Sequence, residues 1–342
     1  MLKERIMRRK ILVVLLLLVI VMSLTACELP FSSVLYTQYM EFTLLEDGTY
    51  SVKLKEGSEN KIPTKVVIPN TYNGKAVTVI EPYGFYGCMN STHLVISNNI
   101  TTIGEYAFAS WDSLWAVDIP DSVKYIGERA FYFDRSITDI TIGAGVEFIG
   151  DAAFHDCYKN TITLKNGNTH YYMEGGCLIE KETNVLVLGS NNSVIPEGVT
   201  AIANSAFAGC RELEYIVIPQ SVVSIGRNAF DNCYRLDKLV IHEGVISIGD
   251  YAFQCCFDLT ELKIPNSVVD IGNYAFRGTS INFAIIGKGV KTIGEGAFDQ
   301  CVELKKVYYA GGRSEWKSIS VGENNSYFTN ARVYFDYSEK EI

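Results

Sequence analysis

A fixed step of 23 residues runs through most of the chain and limits what it can become. The pair Ile-Gly, or a close variant, begins at positions 103, 126, 149, 202, 225, 248, 271 and 293. Five residues after each start stands a phenylalanine: Phe108, Phe131, Phe154, Phe207, Phe230, Phe253, Phe276 and Phe298. The step is 23 residues except for one of 22 at the end and one of 53, a normal step carrying a thirty-residue insertion between Phe154 and Ile202. A weaker copy, IEPYGFYGC from Ile80, makes nine. Self-similarity at a constant spacing of this length belongs to stacked-repeat architectures, in which each unit touches only its neighbours.

The unit is clearest from Cys210, as CRELEYIVIPQSVVSIGRNAF. Its L-x-x-I-x-I portion places apolar residues two apart, the period of a strand with one buried face. The proline that follows has no N–H to give a ladder and ends the strand. The glycine of Ile-Gly is expected to supply a backbone shape that a β-branched residue resists. Ala-Phe then returns to the core. One unit has nothing to cover its apolar side, but in a stack each Ile or Phe covers the one below. About ten coils at ~4.8 Å each would make a rod of ~50 Å. With 48% hydrophobic and 20% charged residues, the chain has the material for such a core.

The stretch LEYIVIPQSVVSIGRNAFDNC and its sisters resemble the BspA-like leucine-rich repeats of bacterial surface proteins, over roughly residues 60–335. The resemblance implies a leucine-rich-repeat right-handed solenoid, a β-rich α/β superhelix. Its parallel sheet would line the concave face, with short helical or irregular turns opposite. It also implies a role in adhesion to host or neighbouring cells.

Outside the array, MLKERIMRRK is a basic start and Ile11 to Met22 an unbroken apolar run of 12 residues. That is shorter than the ~20 residues a membrane-spanning helix needs, and it has the layout of an export signal. Leu24-Thr25-Ala26-Cys27 resembles the lipobox of bacterial lipoproteins, which implies a signal peptide over 1–26 and lipidation at Cys27, anchoring the chain to a membrane. Residues 27–37 would be a tether and 38–76 an N-terminal cap. Repeat blocks would cover 77–160 and 197–306. Between them, 161–196 reads as a β-hairpin, with GCLIEK and NVLVLG joined by a polar turn. Residues 307–342 leave the pattern as a C-terminal cap and tail, with Trp316 expected to cover the final layer.

Three residues after each phenylalanine stand Cys88, Trp111, Asp134, Cys157, Cys210, Cys233, Cys256, Thr279 and Cys301. A periodic column is what packing produces, and free cysteine behaves as a small hydrophobe. Disulfides between neighbouring coils are the alternative in an exported chain. Metal binding is the remote one, since no C-x-x-C pair exists. Cys255 reads as incidental and Cys177, in the hairpin, stays unassigned.

Motifs for zinc hydrolysis, serine nucleophiles and phosphate loops are absent from the sequence, so neither a catalytic residue nor a cofactor is assigned. The net charge is −9, yet five basic residues and one acid lie within the first ten. The remainder is thus more acidic still, which argues against nucleic acid as a partner. What is left is a surface. The residues flanking the middle apolar position of each main strand point outward, and in the later repeats they include Tyr215, Val217, Lys238, Val240, Lys263, Phe283, Ile285 and Tyr308. Aromatics on a rigid sheet suit protein binding, so an extracellular or cell-surface protein is the expected partner. A purely structural envelope component is the first alternative, and an envelope hydrolase or glycan-acting enzyme the second.

Overall fold

The computed structural model describes residues 37–337. The export signal, Cys27, nearly all of the tether and residues 338–342 lie outside the described residues. The chain from residue 39 onward is a stack of coils carrying parallel ladders.

The first ladder is the one the sequence predicts. Its strands in the earlier half are Lys65–Val67, which lies within the residues expected as the N-terminal cap, His93–Val95, Ala116–Asp118, Asp139–Ile142 and Thr161–Leu164, the last lying within the 161–196 expected as the hairpin. After it come Tyr215–Ile218, Lys238–Ile241, Glu261–Ile264, Phe283–Ile286 and Lys306–Tyr309. Tyr215 pairs with Lys238 and Ile216 with Leu239, one period apart, while the short repeat sets Glu261 against Phe283. Leu262 and Ile264 are buried and Glu261 and Lys263 exposed, as period-two alternation requires.

A second parallel ladder runs where turns were expected. Each Ile-Gly isoleucine ends a two-residue strand, as in Thr102–Ile103, Tyr125–Ile126, Phe148–Ile149, Ser224–Ile225 and Asp270–Ile271. Ile225 pairs with Ile248 and Ile248 with Ile271. Strands this short carry no readable alternation, which is why only their spacing shows in the sequence.

The reason for the glycine also differs from the expectation. Gly104, Gly127, Gly150, Gly226, Gly249, Gly272 and Gly294 all have ordinary φ, but a Cβ on any of them would lie 2.5–2.7 Å from backbone atoms of the preceding coil. The requirement is close approach between coils, not a left-handed backbone. Left-handed residues do occur, at two corners per coil: Tyr106 (φ 51°) and Ser110 (φ 65°) in one, Asn228 (φ 53°) and Asn232 (φ 59°) in another.

The phenylalanines stack ring on ring, with centroids 5.1–5.6 Å apart from Phe85 to Phe154 and 4.7–5.5 Å from Phe207 to Phe298. Phe328, on the short helix Ser326–Thr329, continues the stack at 4.6 Å. Trp316, from the helix Arg313–Trp316, lies 5.5 Å from Phe328 and 5.1 Å from Tyr309. At the other end Met40–Leu44 pairs antiparallel with Tyr50–Leu54, which runs parallel to Lys75–Ile80.

The insertion builds three antiparallel strands: Tyr171–Glu174, Cys177–Glu180 and Val185–Leu188. The last two coincide with the alternating runs GCLIEK and NVLVLG. Val185–Leu188 then pairs parallel with Ala201–Ile202 and starts the later ladder. Both ladders and the phenylalanine stack are interrupted here. Among the described residues no backbone hydrogen bond runs directly from 77–160 to 197–306. Side chains bridge the two blocks instead. Asp156 takes Arg135 at 3.1 Å and, across the junction, Arg211 at 3.0 Å. The buried Lys159 ammonium donates to the carbonyls of Phe154 and Ala208. His155 reaches Ser205 Oγ at 3.0 Å and Asp231 at 3.5 Å.

Candidate binding surface

The eight predicted surface residues lie on two outward rows of the first ladder. One row contains Tyr215 beside Lys238, and Glu261, Phe283 and Lys306 in succession. The other contains Val217 beside Val240, and Lys263, Ile285 and Tyr308 in succession. Tyr215 is 54% exposed and Val240 38%. Lys238 and Lys263 are exposed, and Val217, Phe283, Ile285 and Tyr308 are half-buried. The short repeat keeps Phe283 and Ile285 outward, because Ala284 and Ile286 fill the core.

The rows extend further than the repeat does. Arg332–Tyr334 pairs parallel with Lys306–Tyr309, setting Arg332 beside Lys306 and Tyr334 beside Tyr308. Tyr308 is the hub of an aromatic cluster, with Phe283 edge-on at 6.1 Å, Tyr334 stacked at 5.0 Å and Tyr337 at 5.1 Å. Arg332 sits 5.0 Å over the Tyr334 ring. Tyr215 is not part of this cluster. The sequence held a signal for the extension: Lys306-Val307-Tyr308 recurs as Arg332-Val333-Tyr334, but 26 residues on, out of phase with the repeat. The two rows carry four cations, Lys238, Lys263, Lys306 and Arg332, against one acid, Glu261. In a chain of net charge −9, this is a local reversal of sign.

The cysteine column is buried throughout, and all eight described cysteines are free thiols. The column has a function within the fold. Cys157, Cys233, Cys256 and Cys301 each donate Sγ–H to the carbonyl of the preceding coil's phenylalanine, at 3.1–3.4 Å. Trp111, in the same column, donates its indole N–H to Phe85 in the same manner. Burial pushes these thiols up, Cys210 and Cys301 to about 11, so they hold their protons and are weak nucleophiles. Cys255 occupies a left-handed corner (φ 56°) and is half-buried, outside the column.

One buried trio has the order of a nucleophile, base and acid: Ser205, His155 and Asp231. Desolvation lowers His155 to about 4 and raises Asp231 to about 7. The backbone N–H groups of Ser205, Ala206 and Phe207 all bond to carbonyls, so they do not offer an oxyanion hole beside the hydroxyl. The trio serves the junction between the blocks. Among the described residues no group of three or more His, Cys, Asp or Glu is placed to hold a metal ion.

Comparison with known proteins bears on this architecture. The profile of the BspA type leucine rich repeat region (six copies) matches residues 60–174 and 189–305, leaving out part of the insertion. Curated proteins return no match. Among solved structures, a leucine rich cell surface protein of Faecalibacterium prausnitzii aligns with 24% identity and a TM-score of 0.56, over 82% of this chain and 96% of that one. The pneumococcal vaccine antigen PcpA aligns with 15% identity and a TM-score of 0.59, over 87% and 97%. A leucine-rich repeat protein from Bacteroides ovatus aligns with 24% identity and a TM-score of 0.52, over 83% and 75%. At these identities the likeness speaks for the fold. The profile match covers more than half of the chain, and the chain belongs to the family of BspA-type leucine-rich repeat proteins.

Proposed function

We propose that this chain is a non-catalytic bacterial surface protein, held to a membrane through lipidated Cys27, that binds another protein with the later half of its main sheet. The observation that carries the reading is the Tyr308 cluster with its flanking cations. It is an aromatic patch flanked by Lys306 and Arg332, with Glu261 beside Phe283 at its other side, and the Tyr and Arg content is what hot spots favour. The charge calls for an acidic protein partner, with encounter steered electrostatically and weakened by salt. A surface location is supported by the leucine rich cell surface protein of F. prausnitzii, whose fold this chain shares. Acyl chains on Cys27 would contribute ~0.8 kcal/mol per buried CH₂ to membrane attachment.

The test is binding of the full-length chain to a panel of purified extracellular-matrix and bacterial surface proteins of low isoelectric point. Tyr308→Ala should weaken capture by at least tenfold, Lys306→Glu should slow association, and 0.5 M salt should do the same. Equal capture by wild type and both variants rejects this face. Separately, Cys27→Ala should abolish lipid labelling and membrane retention, and an anchored variant would refute the lipid anchor.

A further inference from the structure

A hollow of about 490 Å³ lies over unbroken repeats, lined mostly by polar and charged residues around Arg235, and space of a different kind appears where the stacking is interrupted. The break between the two blocks opens a cleft of about 530 Å³, bounded by the edge strand Phe148–Ile149, by Tyr171 and Glu180 of the insertion, and by Ala201–Ser205. Its volume is that of a small-molecule site. Three features separate it from an incidental gap.

First, it has an aromatic platform. Phe148 is 48% exposed and stacks at 5.0 Å on Tyr125, its plane tilted by 9°. The other face of the Phe148 ring has no ring against it among the described residues, and Phe148 lines the cleft. Second, it exposes apolar surface that the fold hides elsewhere. The isoleucines of the other Ile-Gly copies are buried, whereas Ile149 is only half-buried. Third, the remaining wall is polar with both hydrogen-bonding senses. Asp151 and Asn204 meet at 3.3 Å from opposite blocks, and Glu180 supplies a second carboxylate.

We propose that this cleft is a binding site for a neutral saccharide. A pyranose offers an apolar C–H face, which gains dispersion and burial on a ring such as Phe148. Around its edge it offers hydroxyls that both donate and accept. Asp151 and Glu180 accept, and the exposed Asn204 amide, whose oxygen takes the Arg227 N–H at 2.7 Å, donates. The two carboxylates select against uronic acids, sialic acids and phosphorylated sugars by like-charge repulsion and by the cost of desolvating an unpaired anion. The site lies on a different ladder from the Tyr308 cluster, so the two activities are separable.

The experiment is calorimetric titration of the full-length chain in mild detergent with cellotetraose, chitotetraose and maltotetraose. Saturable binding to at least one is expected. Phe148→Ala and Asp151→Asn should each raise its Kd at least tenfold, and Tyr308→Ala should change it less than twofold. Both altered side chains are exposed, and an unchanged melting temperature verifies the fold. Absence of saturable binding to all three sugars overturns the proposal, as does binding that survives both cleft variants or that is lost equally with Tyr308→Ala.

Discussion

At Gly272 a single methyl group would lie 2.5 Å from the backbone nitrogen of Asp250 and 2.5 Å from the carbonyl carbon of Gly249, and neither backbone atom can swing aside as a side-chain end can. Gly272→Ala should therefore cost about 1–3 kcal/mol, in the range of an overpacked core, read as a fall in the urea midpoint. A retained midpoint would mean that the coils slide apart freely. Asp134 tests the cysteine column from another side. It stands fully buried among thiols, accepts the N–H of Trp111 at 2.6 Å, and has one carboxylate oxygen without a partner. Desolvation raises its pKa well above the ordinary value. The folded chain thus keeps a proton that the unfolded chain releases above pH ~4, and stability falls as pH rises from there. Asp134→Asn keeps the acceptor and removes the titration. It should stabilise the protein more at pH 7 than at pH 4.5, by chemical denaturation at both; equal effects would contradict this. The phase of the column was legible from the sequence. Its bonding was not, because the accepting carbonyl lies 25 or 26 residues upstream and only the coil geometry brings it there.

Among the elements, the last layer shows how an array ends. Phe328 leaves the period yet takes the next place in the ring stack, and Trp316 lies across it. A terminal apolar layer needs such a cover. Trp316→Ala should cost about 3 kcal/mol and raise amide exchange first in 283–309, the strands nearest the cap; uniform exchange along the chain would argue that the ring is dispensable. The hairpin was half-legible. Its two alternating runs announced strands, but the third, Tyr171–Glu174, has no such pattern and forms because Gly175 and Gly176 turn it back (φ 58° and 76°). The second ladder was invisible as strand and visible only as a spacing. The binding rows were legible as far as the period ran. Phe283 and Tyr308 follow from phase, whereas Tyr334 and Arg332 do not, being added by a strand from the cap.

For the whole molecule, the buried thiols set an alkaline limit. The unfolded chain loses thiol protons near pH 8.5, while burial holds Cys210 and Cys301 to about 11 and raises Cys157, Cys233 and Cys256 too. The stability they protect is complete below pH ~8.5 and declines above it. Denaturation midpoints should drop between pH 8.5 and 10.5, and less steeply in a Cys210→Ala, Cys301→Ala double variant; parallel slopes would assign the drop to other groups.

The junction at Asp156 and Lys159 has a mechanical consequence. Everywhere else in the array, separating two coils means breaking rows of backbone bonds, a load shared along a ladder. Here the direct links between blocks are a few side chains, the Arg211–Asp156 pair and the Lys159 ammonium among them. A chain fixed at one end to a surface and gripped at the other would extend there first. It would yield as two stiff segments joined by the uncoiled length of the insertion, so the thirty residues that interrupt the repeat would act as a fuse.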